Sequence, residues 1–396
     1  MLDARPPGDR KRLGQFFTPR AVRQRLLDHV ALAAGMRVLD PGAGTGEFLL
    51  DALERQPGLH VEGWDIDPEL VRVCREEHGL RGVHVHDALA GPSRPQFDVV
   101  IGNPPYYEVR GRADLTARFA DVVSGRPNVF AMFFQAALAS LVQGGRLAFV
   151  VPPSMNNGAY FAALRAHVLE HASIEHLEVL DDPLLFDGAR QSVMLIVLRK
   201  RPGDDRFVHR VDLGRARPTP IFVPDPARLK ALLAGSRRLI DLGYVAKTGR
   251  CVWNQRRGDL RTSAVPGAVA LIRPHHIVDR RIVLDAPSRT PRPSYVIEPS
   301  PDVGPAIAVN RVVGTVGAAR IRAGLIPEGM AFVGENHVNI VQRDAGAPRG
   351  AVAPIEHVLD GLCAARAVEA VRLLTGNTQL SATELTYLVP VGAPAR

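Results

Sequence analysis

Short apolar runs recur along the first half of the chain, separated by stretches with helical periodicity. Arg37–Asp40, residues 60–65, 82–86, 97–102, 146–151, 174–180 and 191–198 read as strands. Between them apolar residues return at helical spacing. Val22, Leu26 and Val30 share one helix face, Phe48, Leu49, Ala52 and Leu53 another, and residues 128–141 and 159–170 supply two more helices. The punctuation agrees with this reading. Thr18-Pro19 and Asp67-Pro68 each offer a helix cap followed by a first-turn proline, and Gly79 and Gly144-Gly145 close helices. Alternation of this kind predicts an α/β, Rossmann-like, seven-stranded and mostly parallel sheet with helices on both faces. Ligands of such sheets bind beyond the carboxyl ends of the strands.

From about residue 218 the pattern changes. Strands become short, Pro and Gly are frequent, and residues 306–310, 330–333 and 338–341 read as sheet pieces. Two helices close the chain. One spans 354–374 and ends at Gly376, and one starts at Ser381, where Ser381-Ala382-Thr383-Glu384 fits a capping box. The expected organisation is a flexible arm over 1–13, an α/β domain over 14–202, and a mixed α+β domain over 218–396. At 396 residues the chain is long enough for two such cores.

Charge sharpens the division. The net charge is +8, but residues 1–200 hold 22 Lys+Arg against 24 Asp+Glu, while residues 201–396 hold 27 against 17. The basic excess belongs to the second half and predicts a polyanionic partner there. No apolar run approaches a membrane span of roughly 18 residues. Cys74, Cys251 and Cys363 are scattered, without metal or disulfide spacing, which predicts a cytoplasmic protein that does not engage membranes. His84 and His86 alternate with Val83 and Val85, as on a half-exposed strand, and no metal is expected.

The chemistry gathers at strand ends. Arg37–Asp40 runs into Pro41-Gly42-Ala43-Gly44-Thr45-Gly46, a glycine turn between strand and helix. Asp40 at that turn would repel a pyrophosphate and favour a cationic ligand. Asp65 stands 23 residues after Gly42, near the spacing of a ribose-binding acid, and Asp87 ends the third strand. The fourth strand ends in Asn103-Pro104-Pro105-Tyr106. Two prolines fix φ and hold Asn103 extended. The result is a stiff corner with an amide, free carbonyls and a ring, able to take hydrogen bonds from an exocyclic amino group and to stack on a flat ring. The polar loop 107–127, with four arginines, reads as a substrate-side loop.

With these residues in order, the chain resembles the γ-type N6-adenine DNA methyltransferases of restriction-modification systems, motif by motif over 14–200 and more loosely over 240–396. The resemblance implies S-adenosyl-L-methionine as cofactor, released as S-adenosyl-L-homocysteine. Phe17, Thr18 and Pro19 would close over it, and Asp40, Gly42 and Gly44 would meet its methionine part. Asp65 would bind the ribose, Ile66 would pack on the adenine, and Asp87 with Ala88 would take its amino group. Asn103, Pro104, Pro105 and Tyr106 would hold a flipped-out target adenine, with Phe186 as a second stacking aromatic. The expected partners are double-stranded DNA, contacted by one monomer, and a cognate restriction endonuclease. In the second half, Asn254, Gln255, Arg256 and Arg257 combine the side chains that read adenine and guanine edges. His275-His276 and Asn336-His337 are weaker, structural or phosphate-facing candidates. The competing substrates are RNA adenine, N4 of cytosine (whose enzymes more often carry Ser before Pro-Pro-Tyr) and protein glutamine. A DNA-binding module without catalysis is a remoter alternative.

Overall fold

The computed structural model describes residues 18–91, 95–123, 127–156, 161–180, 193–213, 218–287, 292–311, 320–348, 350, 352–375 and 380–392. The chain divides into two compact units. One runs to His209 and regains residues 220–224; the other comprises 210–219 and 225–396.

In the first unit, β1 (Arg37–Asp40), β2 (His60–Asp65), β3 (Val83–Val85), β4 (Phe97–Gly102), β5 (Leu141–Val151), β6 (Ser173–Leu180) and β7 (Val193–Arg199) form one sheet in the order β3-β2-β1-β4-β5-β7-β6. β1 pairs with β2 and β4 in parallel, and only β7 runs antiparallel, against β5 and β6. Successive side chains of a strand point to opposite faces, and the core splits accordingly. Val38, Val99 and Ile101 enter the layer beneath α1 (Arg20–Leu27), α2 (Glu47–Arg55) and α3 (Pro68–Glu76). Leu39 and Val100 enter the opposite layer with α5 (Val129–Ser140) and α6 (Ala162–His171); α4 (Ala113–Arg118) lies in the loop before α5. Phe130, Phe134 and Phe149 fill that second layer, each buried ring contributing roughly 1.5–3 kcal/mol.

Local chemistry explains most boundaries. Asp67 caps α3 by accepting from the Glu69 N–H at 3.0 Å, and Asn128 caps α5 by accepting from that of Phe130 at 3.2 Å. Three expectations change. Pro19, not Thr18, stands at the cap of α1, and the Thr18 side chain turns elsewhere. The helix over 128–141 is not closed by Gly144-Gly145, because β5 begins directly at Leu141 and takes both glycines into its irregular start. Val85 is 57% exposed, since β3 is an edge strand and buries only Val83.

β8 (Val208–Val211) and β9 (Thr219–Phe222) lie at the division between the units. The second unit continues with α7 (Pro226–Leu233), β10 (Tyr244–Thr248), β11 (Leu260–Arg261), β12 (Ala268–Ile272), β13 (Ile277–Val278), β14 (Arg281–Ile282), β15 (Tyr295–Ile297), β16 (Asp302–Val303), β17 (Ala306–Asn310), β18 (Ala323–Ile326), β19 (Ala331–Gly334) and β20 (Val338–Arg343). They build a six-stranded sheet, β10-β20-β17-β18-β14-β13, and a five-stranded one, β11-β15-β12-β19-β16. The expected helix over 354–374 is two helices, α8 (Ile355–Leu362) and α9 (Ala365–Thr375), broken at Cys363. α10 (Ala382–Tyr387) carries the expected capping box: Ser381 accepts from the Glu384 N–H at 3.1 Å, and Glu384 accepts from the Ser381 N–H at 2.7 Å.

Gly46 opens α2 at φ +85°, and an added Cβ would lie 2.5 Å from Leu80 Cδ1. Both the backbone and the space select glycine. Gly46→Ala is expected to destabilise the protein by about 2 kcal/mol through left-handed strain and overpacking, read as a lowered urea midpoint with unchanged slope.

Candidate active site

A cleft opens at the carboxyl ends of β1, β2, β3 and β4. Its wall includes Thr18, Asp40, Gly42, Gly44, Asp65, Ile66, Asp87, Ala88, Asn103 and Pro105. Sequence positions spread over 88 residues thus meet in one place: all but Thr18 lie at or just after the carboxyl ends of neighbouring strands, and Thr18 joins them from the start of the first helix. Pro19, Pro104 and Tyr106 do not line it; Phe17 and Phe186 lie outside the described residues.

The floor is acidic. Asp40 is 1% exposed and accepts from the Gly42 N–H at 3.0 Å. Burial, with Asp65 and Glu47 nearby, pushes its carboxyl up to about 8 against the pull of that N–H. Asp65 accepts from Gly44 and Asp67 N–H groups, each at 2.9 Å, and burial raises its carboxyl as well. Asp87 accepts from the Leu89 N–H at 2.9 Å. Asp40, Asp65 and Asp87 therefore keep lone pairs for a ligand while backbone N–H groups fix their orientation. Among the described residues, Arg23 is the arginine that lines the cleft, and it is committed to Asp51 at 2.6 Å and to the Thr18 carbonyl at 2.5 Å. Such a cleft favours a cation and rejects a pyrophosphate. Ile66, 59% exposed, offers an apolar side to a planar group.

The amide corner is tied to the cleft by side chains that spacing does not reveal. Asn103 Nδ2 donates to Thr18 Oγ1 at 3.0 Å. The Tyr106 hydroxyl has two acceptors, Asn103 Oδ1 and the Val150 carbonyl, the latter at 2.6 Å. It holds one proton and can serve one of them at a time. Burial raises the Tyr106 phenol well above its ordinary value, so it stays protonated. Its ring packs edge-on against Phe130, centroids 6.1 Å apart. The aromatic side chains in the cleft wall are instead Tyr107, Phe133, Phe48 and His86. Tyr107 and Phe133 are residues that motif reasoning missed. A second tyrosine beside the motif was the available signal for the first, and the helical periodicity of α5 for the other.

Among the described residues, His29, His176 and Glu178 form a group that could hold a metal ion, and it does not line the cleft. There Arg25 forks onto both Glu178 oxygens at 3.0 Å, and the two imidazoles stack 3.4 Å apart within 12° of parallel. Lone pairs in parallel rings run side by side and do not converge on one ion.

Asp40 makes stability depend on pH. The unfolded chain loses this proton near 3.8 and the folded protein near 8, so between those values the unfolded state binds fewer protons and stability falls as pH rises. Asp40→Asn removes the effect. It is expected to match the parent near pH 4 and to exceed it by a few kcal/mol near pH 8, since each step of one pH unit between the two values weakens the parent by about 1.4 kcal/mol. Urea unfolding across that range, without ligand, measures the difference.

Comparison with known proteins follows the same half of the chain. The profile of the N-6 DNA Methylase family matches residues 2–215. Modification methylase CviBIII of Paramecium bursaria Chlorella virus NC1A is 28% identical over 203 residues, 50% of this chain and 52% of that protein. Type II methyltransferase M.CvrRI of Paramecium bursaria Chlorella virus XZ-6E is 26% identical over 229 residues, 57% of this chain and 58% of that one. Among solved structures, TrmN from Thermus thermophilus is similar at 26% identity with a TM-score of 0.34, over 46% of this chain and 48% of that chain. The chain spans a little over half the length of the curated relatives it matches. With the family profile matched over more than half of its residues, this chain belongs to the N-6 DNA Methylase family.

Proposed function

We propose that this protein is a γ-type, site-specific DNA adenine-N6 methyltransferase using S-adenosyl-L-methionine, with residues 14–202 as its catalytic domain and 218–396 as its target-recognition domain. One observation carries the reading: the Asn103 amide stands at the mouth of an acidic, cation-favouring cleft, its nitrogen fixed by Thr18. When bound, the cofactor supplies an electrophilic methyl group on a sulfonium sulfur and leaves as S-adenosyl-L-homocysteine. Asp40 suits its ammonium group, Asp65 its ribose, Ile66 its adenine ring, and Asp87 with Ala88 the adenine edge. Phe17, Pro19 and Phe186 keep their expected roles in this proposal.

The target adenine leaves the duplex to reach the corner. Its amino nitrogen is a weak nucleophile, because its lone pair is delocalised into the ring. Asn103 Oδ1 and the Pro104 carbonyl accept one N6 hydrogen each and draw the nitrogen towards tetrahedral geometry, aiming the lone pair at the methyl carbon. The surplus N6 proton released on methylation would pass to solvent. Positioning and fixed dipoles provide the acceleration. Asn103 Oδ1 becomes available when the Tyr106 proton turns to the Val150 carbonyl. Arg23 braces this arrangement by joining Asp51 to the Thr18 backbone.

Of the proposed base readers, Asn254, Gln255 and Arg257 are exposed. Arg256 is spent within the protein, donating to Asp259 at 2.9 Å, Glu298 at 2.7 Å and the Ile297 carbonyl at 2.7 Å. It is a brace beside β15, which corrects its expected role. The protein would work in the cytoplasm as a monomer, alone or beside a cognate endonuclease.

Asn103→Ala is expected to lose methyl transfer by at least about a thousandfold while keeping cofactor affinity within a few-fold. Long-read modification mapping of DNA from a host expressing the protein should show methylated adenines in one sequence context, absent with the variant. Retained activity, or methylation of another base, would overturn the reading. The two tyrosines should also separate. Tyr107→Ala is expected to weaken DNA with an unpaired target base by roughly 1–3 kcal/mol, a stacking loss. Tyr106→Phe keeps its packing and is expected to change kcat with little effect on that affinity. Single-turnover rates and fluorescence anisotropy measure the pair.

A further inference from the structure

Three stretches of backbone lie side by side in the second unit. The Cys251 N–H donates to the Gly334 carbonyl at 3.0 Å and the Asn336 N–H to the Cys251 carbonyl at 3.0 Å, while the Glu335 N–H donates to the Ile272 carbonyl at 2.9 Å. Trp253 leaves the first of these stretches and Arg273 the second. The guanidinium carbons of Arg292, Arg257 and Arg273 lie 5.5, 5.8 and 5.8 Å from the centre of the Trp253 ring. Three cations around one indole is an unusual density of charge, and Arg273 adds a second anomaly. It is 2% exposed, and none of its three guanidinium nitrogens has a hydrogen-bond partner.

The chain does not lack acids at this place. Arg250 reaches Glu298 at 3.4 Å and Asp302 at 3.6 Å, and Arg256 reaches Glu298 and Asp259. Glu335, an acid whose charge favours that of Arg273, spends its oxygens on the His337 ring at 2.6 Å and the His337 N–H at 3.1 Å. Burial and Arg292 oppose the charge on Arg273, and Glu335 offsets this only in part. A guanidinium keeps its proton under such conditions. A buried, charged and unbonded group persists when its partner arrives from outside.

We infer that Arg257, Arg273 and Arg292, gathered round Trp253, form a seat for one phosphate of the DNA backbone. The inference rests on duplex DNA being the substrate, as proposed above. A guanine edge takes a single fork on two uncharged acceptors, whereas three cations gathered round one ring match a group with several anionic oxygens. Arg257 and Arg292 are exposed and meet the strand first; Arg273 receives it as the indole yields. The neighbouring Asn254 and Gln255 are exposed, so a phosphate held here sets the register in which those amides face bases.

The test uses the full chain, with duplexes bearing the mapped site or a scrambled one, titrated by anisotropy over a series of salt concentrations. Arg257→Ala and Arg292→Ala are each expected to reduce the slope of log affinity against log salt, by no more than about 0.9 because the three arginines share one phosphate, with equal losses on both duplexes. Arg273→Met is expected to do the same while melting at or above the parent temperature, since an unpaired buried charge has been removed. Unchanged slopes in all three variants would overturn the seat. So would a loss confined to the mapped site with the slope preserved, which is the signature of base reading, or a lower melting temperature of Arg273→Met with unaltered DNA binding. Should the parent protein neither bind nor methylate duplex DNA, the proposed function falls and the seat with it; a parent that methylates beside unmoved variants overturns the seat alone.

Discussion

The carboxylate of Asp40 rests against the backbone of Gly102, and the first unit depends on that approach. An added Cβ at Gly102 would lie 2.7 Å from Asp40 Oδ1. β1 and β4 are parallel neighbours, so their carboxyl ends emerge together, one carrying the acid of the glycine turn and the other the amide corner. Any side chain at position 102 would push one away from the other. The acidic cleft and the amide corner thus share a wall without intervening atoms. Close packing at that wall fixes the distance over which a methyl group would travel, something a flexible loop could not do.

Much of this was legible in the sequence because it depends on order along the chain. Strand ends in a parallel sheet converge, so Asp40, Asp65, Asp87 and Asn103 could be assigned to one edge before any coordinates. What stayed hidden depends on rotation about single bonds. Thr18 looked like a cap and instead holds Asn103, 85 residues away. Tyr106 and Tyr107 are adjacent, and nothing in their spacing says which ring enters the core and which faces the cleft. The Pro-Pro turn decides that.

The second unit was harder to read for a different reason. Its strands are short, and its pairings join distant segments, as when β12 lies parallel to β19. Period-two patterning over two to five residues carries little information. The arginine-rich segment looked uniform in sequence, yet the fold sorts it. Among the described residues, Arg250 and Arg256 find internal acids, while Arg273 does not. That sorting follows from which backbone runs alongside, and no local composition records it.

The single proton of the Tyr106 hydroxyl has a consequence for turnover. In the proposed reaction, an unmethylated amino group would offer two N–H bonds to two acceptors, Asn103 Oδ1 and the Pro104 carbonyl. Methylation would leave one N–H bond, so one acceptor would be abandoned. The Tyr106 proton, waiting on the Val150 carbonyl, can return to Asn103 and fill that vacancy. In that reaction the swing that would admit the substrate would also help expel the product. It would also work against a second methyl group on the same nitrogen, because a secondary amine, with one N–H bond left, would face tyrosine as a competitor for Asn103 Oδ1.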